Sequence, residues 1–315
     1  MMISPDGFIS SYKNKSYKEL LPVRDKLIRE IRKFEKHSNE LENDIIMDPS
    51  PEVIYQCNLE YLGELCKLIS YKYNQEFIWG VANDPNSPAS RTREWIDRYF
   101  DQFPYRWEEQ KYIWKAVKTF QDCWDLDAPV LSEMIERATS DAEYLMNASL
   151  YYPRDMIIGL AKENPKEVKQ MFLDLFDEET DVATRALEFN ARAEQLRGNF
   201  KGKFYGRNYQ TMNAVSTYLW LMYPEKYYFY KYAVANKVSA ETGLPYTKRN
   251  DSEVNKMINE FELLDMISEA LKRDRRARKL LDERLDDSMY YDGQLHCMAM
   301  DFAFFIRPCY ENRKS

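Results

Sequence analysis

Apolar positions recur along most of this chain at intervals of three, four and seven residues, the repeat of an α-helix with one buried face. Between residues 20 and 46, Leu20, Leu27, Phe34 and Leu41 stand seven apart, with Ile31 and Ile45 on the alternate positions. That seam predicts a long amphipathic helix in an antiparallel hairpin or a coiled coil, the latter allowing a homo-oligomer through 20–45. Asp48-Pro49-Ser50-Pro51 ends it. Ser50 can cap the next helix and Pro51 can take its first position; Val53, Ile54, Cys57, Tyr61, Leu65, Cys66 and Ile69 are then expected inward. The run YKYNQEFIWGV, residues 71–81, is the best candidate for a short strand or irregular segment. Turn formers crowd residues 83–88. Ser90 opens a helix with Trp95 and Tyr99 on one face, closing before Pro104. Trp107, Ile113, Trp114, Val117, Phe120 and Trp124 keep helical spacing through 105–126, so that helix is expected to be deeply packed.

The second half continues in the same period. Asp127, Ser140 and Asp181 each stand where a helix can begin, and Asn164-Pro165 followed by Glu167 is a stronger start signal. Pro224 separates helices expected at 208–223 and 225–242, Asp251 or Ser252 caps the next one, and an apolar helix spans 294–306. The fold class expected is mainly α: a multi-helix globular array with at most a short strand segment near 71–81. An N-terminal helical region, 1–126, and a C-terminal helical domain, 127–315, follow from the Pro- and acid-rich corner near 126–129.

Composition narrows the picture. At 315 residues with 44% hydrophobic content, the chain can bury a substantial core in one large or two medium domains. A net charge of −7 argues against a surface that coats nucleic acid or anionic lipid throughout, while leaving room for a local basic patch. The five cysteines include no C-x-x-C pair, which points to thiols in a reducing compartment. The first residues lack an apolar signal-peptide core, and no run of about 18 apolar residues exists for a membrane span. A cytoplasmic location is expected.

One stretch departs from this balance. Residues 195–240 carry Arg197, Lys201, Lys203, Arg207, Lys226, Lys231 and Lys237 against a single acid, Glu225, a local charge of +6 (seven minus one). The same span holds Tyr205, Tyr209, Tyr218, Trp220, Tyr223, Tyr227, Tyr228, Phe229, Tyr230 and Tyr232. Rings that stack on bases, interleaved with bases that neutralise phosphates, suit nucleic-acid binding. The same pattern also suits the core of a helix pair with solvated lysines. Three glycines and four bases between Arg197 and Asn208 form a loop ahead of a helix start near Asn208, where backbone N–H groups favour an anion. Candidate nucleic-acid contacts are therefore Lys201, Lys203, Tyr205, Arg207, Asn208 and Tyr209, with Trp220 as a further ring. Arg275 and Arg276 join them from a second basic run, residues 272–279, where local salt bridges are the competing explanation.

Catalytic motifs do not stand out. The two histidines, His37 and His296, lie on a polar helix face and beside Cys297; neighbours on a helix project about 100° apart, which disfavours a Cys–His pair. H-E-x-x-H, G-x-S-x-G, G-x-G-x-x-G and G-x-x-x-x-G-K-[ST] are all missing from the sequence. No catalytic residue, metal site or cofactor is expected, and the chain does not read as an enzyme.

Several segments carry a resemblance: WEEQKYIWKAVKTFQDCWDLDA (107–128), YYPRDMI (151–157), PKEVKQMFLDLFDEETDV (165–182), NYQTMNAVSTYLWLMYPEKYYFYKY (208–232) and LHCMAMDFAFFI (295–306). They resemble the region preceding the AAA+ motor in bacterial McrB-like, methylcytosine-directed restriction proteins, in aromatic and helix patterns and not in catalytic motifs. In that family the motor hydrolyses GTP, a partner subunit supplies the nuclease, and the N-terminal region recognises the target. The motor's phosphate loop is missing here, so GTPase activity does not transfer. The resemblance implies a non-catalytic DNA-recognition module, with DNA, methylated or unmethylated, and an AAA+ motor or nuclease subunit as partners. A helical protein-interaction or assembly module without nucleic-acid contact is the alternative.

Overall fold

Side chains that cap and side chains that stack decide where the helices of this protein begin and how they pair. The computed structural model describes residues 4–15, 17–37, 50–79, 84–147, 151–199, 206–247 and 250–307. It is 73% helical, and among the described residues it contains fifteen helices and no sheet. In chain order they are α1 (Pro5–Ser10), α2 (Tyr17–His37), α3 (Pro51–Trp79), α4 (Pro88–Gln110), α5 (Tyr112–Cys123), α6 (Leu131–Ala138), α7 (Glu143–Met146), α8 (Pro153–Glu163), α9 (Pro165–Leu175), α10 (Val182–Asn199), α11 (Met212–Met222), α12 (Tyr232–Thr242), α13 (Glu253–Lys272), α14 (Arg275–Asp282) and α15 (His296–Ile306). The chain divides into two units, 1–90 and 91–315. The corner at 126–129 lies inside the second unit and is not a boundary: Phe120 of α5 stacks on Trp124, which meets Phe172 of α9 edge-on (4.8 Å), closing one core across it.

In the first unit, α2 and α3 pair as a hairpin with α1 against α3. The seam is buried here: Leu20, Leu27 and Ile31 are covered, with Leu65 of α3, and Phe34 stacks on Tyr55 at 4.7 Å. Of the two outcomes open to that seam, the described part follows the hairpin; Leu41 and Ile45 lie outside the described residues. Ser50 caps α3 as expected, its Oγ accepting from the Val53 N–H. Two expectations fail on α3. Val53, Ile54 and Cys66 face solvent instead of the core. Residues 71–79, the candidate strand, continue the helix, because adding a residue to an existing helix gains a hydrogen bond without the cost of nucleation.

In the second unit, α11 and α15 are the most completely buried helices, with nine and ten of their 11 residues buried. The expected stop before Pro104 is overridden. Helix α4 runs through it, at the loss of one backbone hydrogen bond, because Tyr99, Phe100, Phe103 and Trp107 all bury on one face. The helices expected at 208–223 and 225–242 are shorter than expected: residues 206–211 and 224–231 are non-helical, and only α11 and α12 remain. Buried polar groups close the ends. Asp292 accepts from the His296 and Met298 N–H groups (2.8 and 2.9 Å) and caps α15, while Leu295 takes the left-handed backbone conformation (φ 58°). Asp301, fully buried inside α15, accepts from the Tyr99 hydroxyl (2.8 Å) and from Arg106 (3.0 Å).

Candidate nucleic-acid interface

Part of the charge of the 195–240 stretch is balanced by residues outside it. Arg197 pairs with Glu194, Lys237 with Glu241 and Lys226 with Glu178. Two of those acids stand immediately beside the window in sequence. Most of the aromatics are core. Tyr218, Trp220, Tyr227, Tyr228, Phe229 and Tyr230 are buried, and their hydroxyls find partners: Tyr218 on Gln210, Tyr228 on Asp265 and Tyr230 on Glu253. Trp220, with no exposed surface, cannot meet a base.

What remains at the surface is the segment 206–211 ahead of α11. Lys201, Lys203 and Tyr205 lie outside the described residues. Asn208 is an anchor: its amide donates to the Asn190 carbonyl (2.9 Å) and its oxygen accepts from the Gln210 N–H (2.8 Å). Gln210, fully buried, donates to the Pro153 carbonyl (2.7 Å) and accepts from Tyr218 (2.9 Å). Asn190 donates to the Gln210 carbonyl at 2.7 Å. Residues 206–211 are thereby fastened to the start of α8 and the middle of α10.

On this base sits a ring cluster. Tyr209 meets Tyr151 and Tyr152 edge-to-face, each at 5.9 Å, and the Arg207 guanidinium lies over the Tyr209 ring at 5.1 Å. Arg207 is exposed, Tyr209 half-buried and Tyr152 40% exposed. Tyr151 turns inward to Thr211 (2.8 Å) and Asn213 (3.3 Å), filling the start of α11 where an anion was expected. Burial pushes its phenol up to about 12, against the opposing pull of the Thr211 hydroxyl and the Arg207 charge. The cluster thus presents a π face, hydrogen-bond donors and one fixed positive charge, the equipment for stacking and charge-assisted contact. Tyr151 and Tyr152 were not among the residues expected; the tyrosine doublet before Pro153 was the available signal, but only the fold brings it to Tyr209.

The second basic run is partly committed. Arg276 forks between Asp274 and Asp97 and lies over the Phe100 ring at 4.9 Å, so its charge is already neutralised. Arg278 donates to the Asp292 and Gly293 carbonyls (3.1 and 2.9 Å) and steadies the loop before α15. Arg275 is exposed and lines an open cleft of about 630 Å³, where Lys272 and Lys279 are matched by Asp274, Asp282 and Glu283. That mixture gives little net attraction for phosphate.

His296 and Cys297 do not form a reactive pair. The imidazole stacks on Tyr228 at 4.4 Å, with burial lowering its pKa to about 4, and burial pushes the Cys297 thiol well up. Among the described residues no group of three or more His, Cys, Asp or Glu side chains is placed to hold a metal ion, and no helix is long and apolar enough to cross a membrane.

Among the described residues the protein is all-helical, with a tyrosine–arginine cluster at its surface. No family model, curated protein or solved structure matches the chain.

Proposed function

We propose that the chain is a non-catalytic, nucleic-acid-recognition module that engages its target through Arg207 and Tyr152 on the Tyr151–Tyr209 platform. One observation carries the reading: Tyr152 and Arg207 are held at the surface by a hydrogen-bonded segment whose anchor, Gln210, is fully buried. Lys201 and Lys203, neighbours in sequence, would supply further phosphate contacts. The resemblance to McrB-like proteins makes DNA, methylated or unmethylated, the target to try first, and a motor or nuclease subunit the partner. The assembly alternative finds less support. The exposed apolar residues of α3 do not share a face, since Ile54 and Leu59 lie about 100° and about 240° round the helix from Val53, and the described seam of α2 is already covered.

The test is anisotropy of labelled methylated and unmethylated duplexes and of single strands, for wild type, Arg207→Ala and Tyr152→Ala. Loss of a stacked ring is expected to weaken binding about 5- to 150-fold, corresponding to ~1–3 kcal/mol. Equal affinities for wild type and both variants would remove the site.

A further inference from the structure

We infer that the solvent-facing side of α2 is a second polyanion-binding surface, shaped to follow a phosphate backbone, on the unit that does not carry the Tyr152–Arg207 site. The inference borrows from that reading only the choice of polyanion.

The geometry is simple. At about 100° per residue, Lys26, Arg29, Lys33 and Lys36 fall within an arc of about 80°, with Arg32 about 40° outside it. Leu20, Leu27, Ile31 and Phe34 occupy an arc of about 60° on roughly the opposite side of the helix. Those apolar residues are covered within the unit, so the hairpin fixes which side of α2 meets water. Lys26, Arg29, Arg32, Lys33 and Lys36 are all exposed. The acids of the helix stay off the run. Asp25, about 20° outside the arc, pairs with Arg24 at 2.7 Å, Glu35 accepts from the Tyr55 hydroxyl of α3 at 3.3 Å, and Glu19 and Glu30 lie to one flank. Among the described residues, Lys26, Arg29, Arg32 and Lys36 take part in no ion pair.

Lys26, Arg29 and Lys36, which take part in no ion pair among the described residues, repel one another along the row; a linear anion relieves that repulsion. From Lys26 to Lys36 the helix rises ~15 Å, so the four bases of the arc stand ~5 Å apart along a line. A nucleic-acid strand offers one phosphate per ~3.4 Å of axis, a comparable linear charge density. A bilayer surface fits less well, because a helix lying in a membrane interface buries its apolar face there, and the apolar face of α2 is occupied by α3.

The experiment compares the full-length protein with Lys26→Gln/Arg29→Gln/Lys33→Gln/Lys36→Gln, titrating a duplex from low to moderate salt. Gln keeps helix propensity, so the helix is expected to persist. Four lost phosphate contacts would reduce the slope of log K against log salt by up to ~3.6. A second variant, Glu30→Lys, needs no deletion and is expected to steepen the slope by up to ~0.9. An unchanged slope in both variants, with binding still sensitive to Tyr152→Ala, overturns the α2 surface and leaves the Tyr152–Arg207 site standing. A reduced slope with Tyr152→Ala and Arg207→Ala silent supports α2 and overturns that site. Binding to phosphatidylserine–phosphatidylcholine vesicles but to no nucleic acid overturns the phosphate-backbone assignment and the proposed function together.

Discussion

Replacing Gln210 by Ala tests how the candidate site is held. Gln210 has no exposed surface and joins two partners, donating to the Pro153 carbonyl at 2.7 Å and accepting from the Tyr218 hydroxyl at 2.9 Å. Removing the carboxamide strands both in the interior, where Tyr218 is itself fully buried. Each buried polar group left without a partner costs about 1–3 kcal/mol, so the loss is expected to be about 2–5 kcal/mol. The second unit holds 225 residues (315 − 91 + 1). For that size each kcal/mol lowers Tm by about 2–4 °C, and the unit's transition is expected to fall by about 5–20 °C. Circular dichroism melting reads this directly, and hydrogen exchange of the 206–211 amides should quicken before global unfolding. Nucleic-acid affinity should fall too, because Tyr209 and Arg207 flank the loosened position. A Tm within 2 °C of wild type, with protection of 206–211 unchanged, would refute the argument that Gln210 anchors the site.

Glu260 gives a pH prediction. It is buried and holds only the Lys231 N–H, at 3.0 Å from each oxygen, and burial raises its pKa from 4.5 to about 8. The unfolded chain therefore releases this proton first, and stability is lost as pH rises from about 4.5 to about 8. Tyr230 and Tyr246 lie close enough to feel its charge, and Lys231 opposes it. Glu260→Gln should flatten that decline in urea midpoints between pH 5 and 8; parallel curves for the two proteins would show that Glu260 does not titrate there. In the first unit, Leu27→Asp places a carboxylate in the thin core of Leu20, Leu27 and Leu65. A cost of about 3 kcal/mol or more is expected, and limited proteolysis should degrade residues 1–90 while sparing 91–315. An unaltered digestion pattern would count against the hairpin core.

Signals confined to a few residues were legible in the sequence. Ser50, Asp181 and Ser252 cap α3, α10 and α13 because an N-cap needs only a side chain and an amide two or three residues on. The all-helical class followed from the period of the apolar positions. Signals that depend on distant partners were not legible. Pro104 sits inside α4 because the ring row from Tyr99 to Trp107 packs elsewhere in its unit. The run from Tyr227 to Lys231 looked helical but is non-helical, the Tyr230 N–H going to Ser216 Oγ and the Lys231 N–H to Glu260. The charge contrast at 195–240 depended on where the window ended, since Glu194 and Glu241 border it. Tyr151 and Tyr152 reach Tyr209 across 57–58 residues of chain (209 − 152 and 209 − 151), a proximity that no local pattern announces.

The central claim is that this helical chain grips nucleic acid by charge and ring stacking. The most direct measurement is the salt dependence of wild-type binding to a duplex. Contacts from Lys201, Lys203 and Arg207 alone predict log K falling with log salt at a slope near −2.7, and bases on α2 would steepen it. Absence of binding at low salt, or an affinity indifferent to salt, would contradict the account.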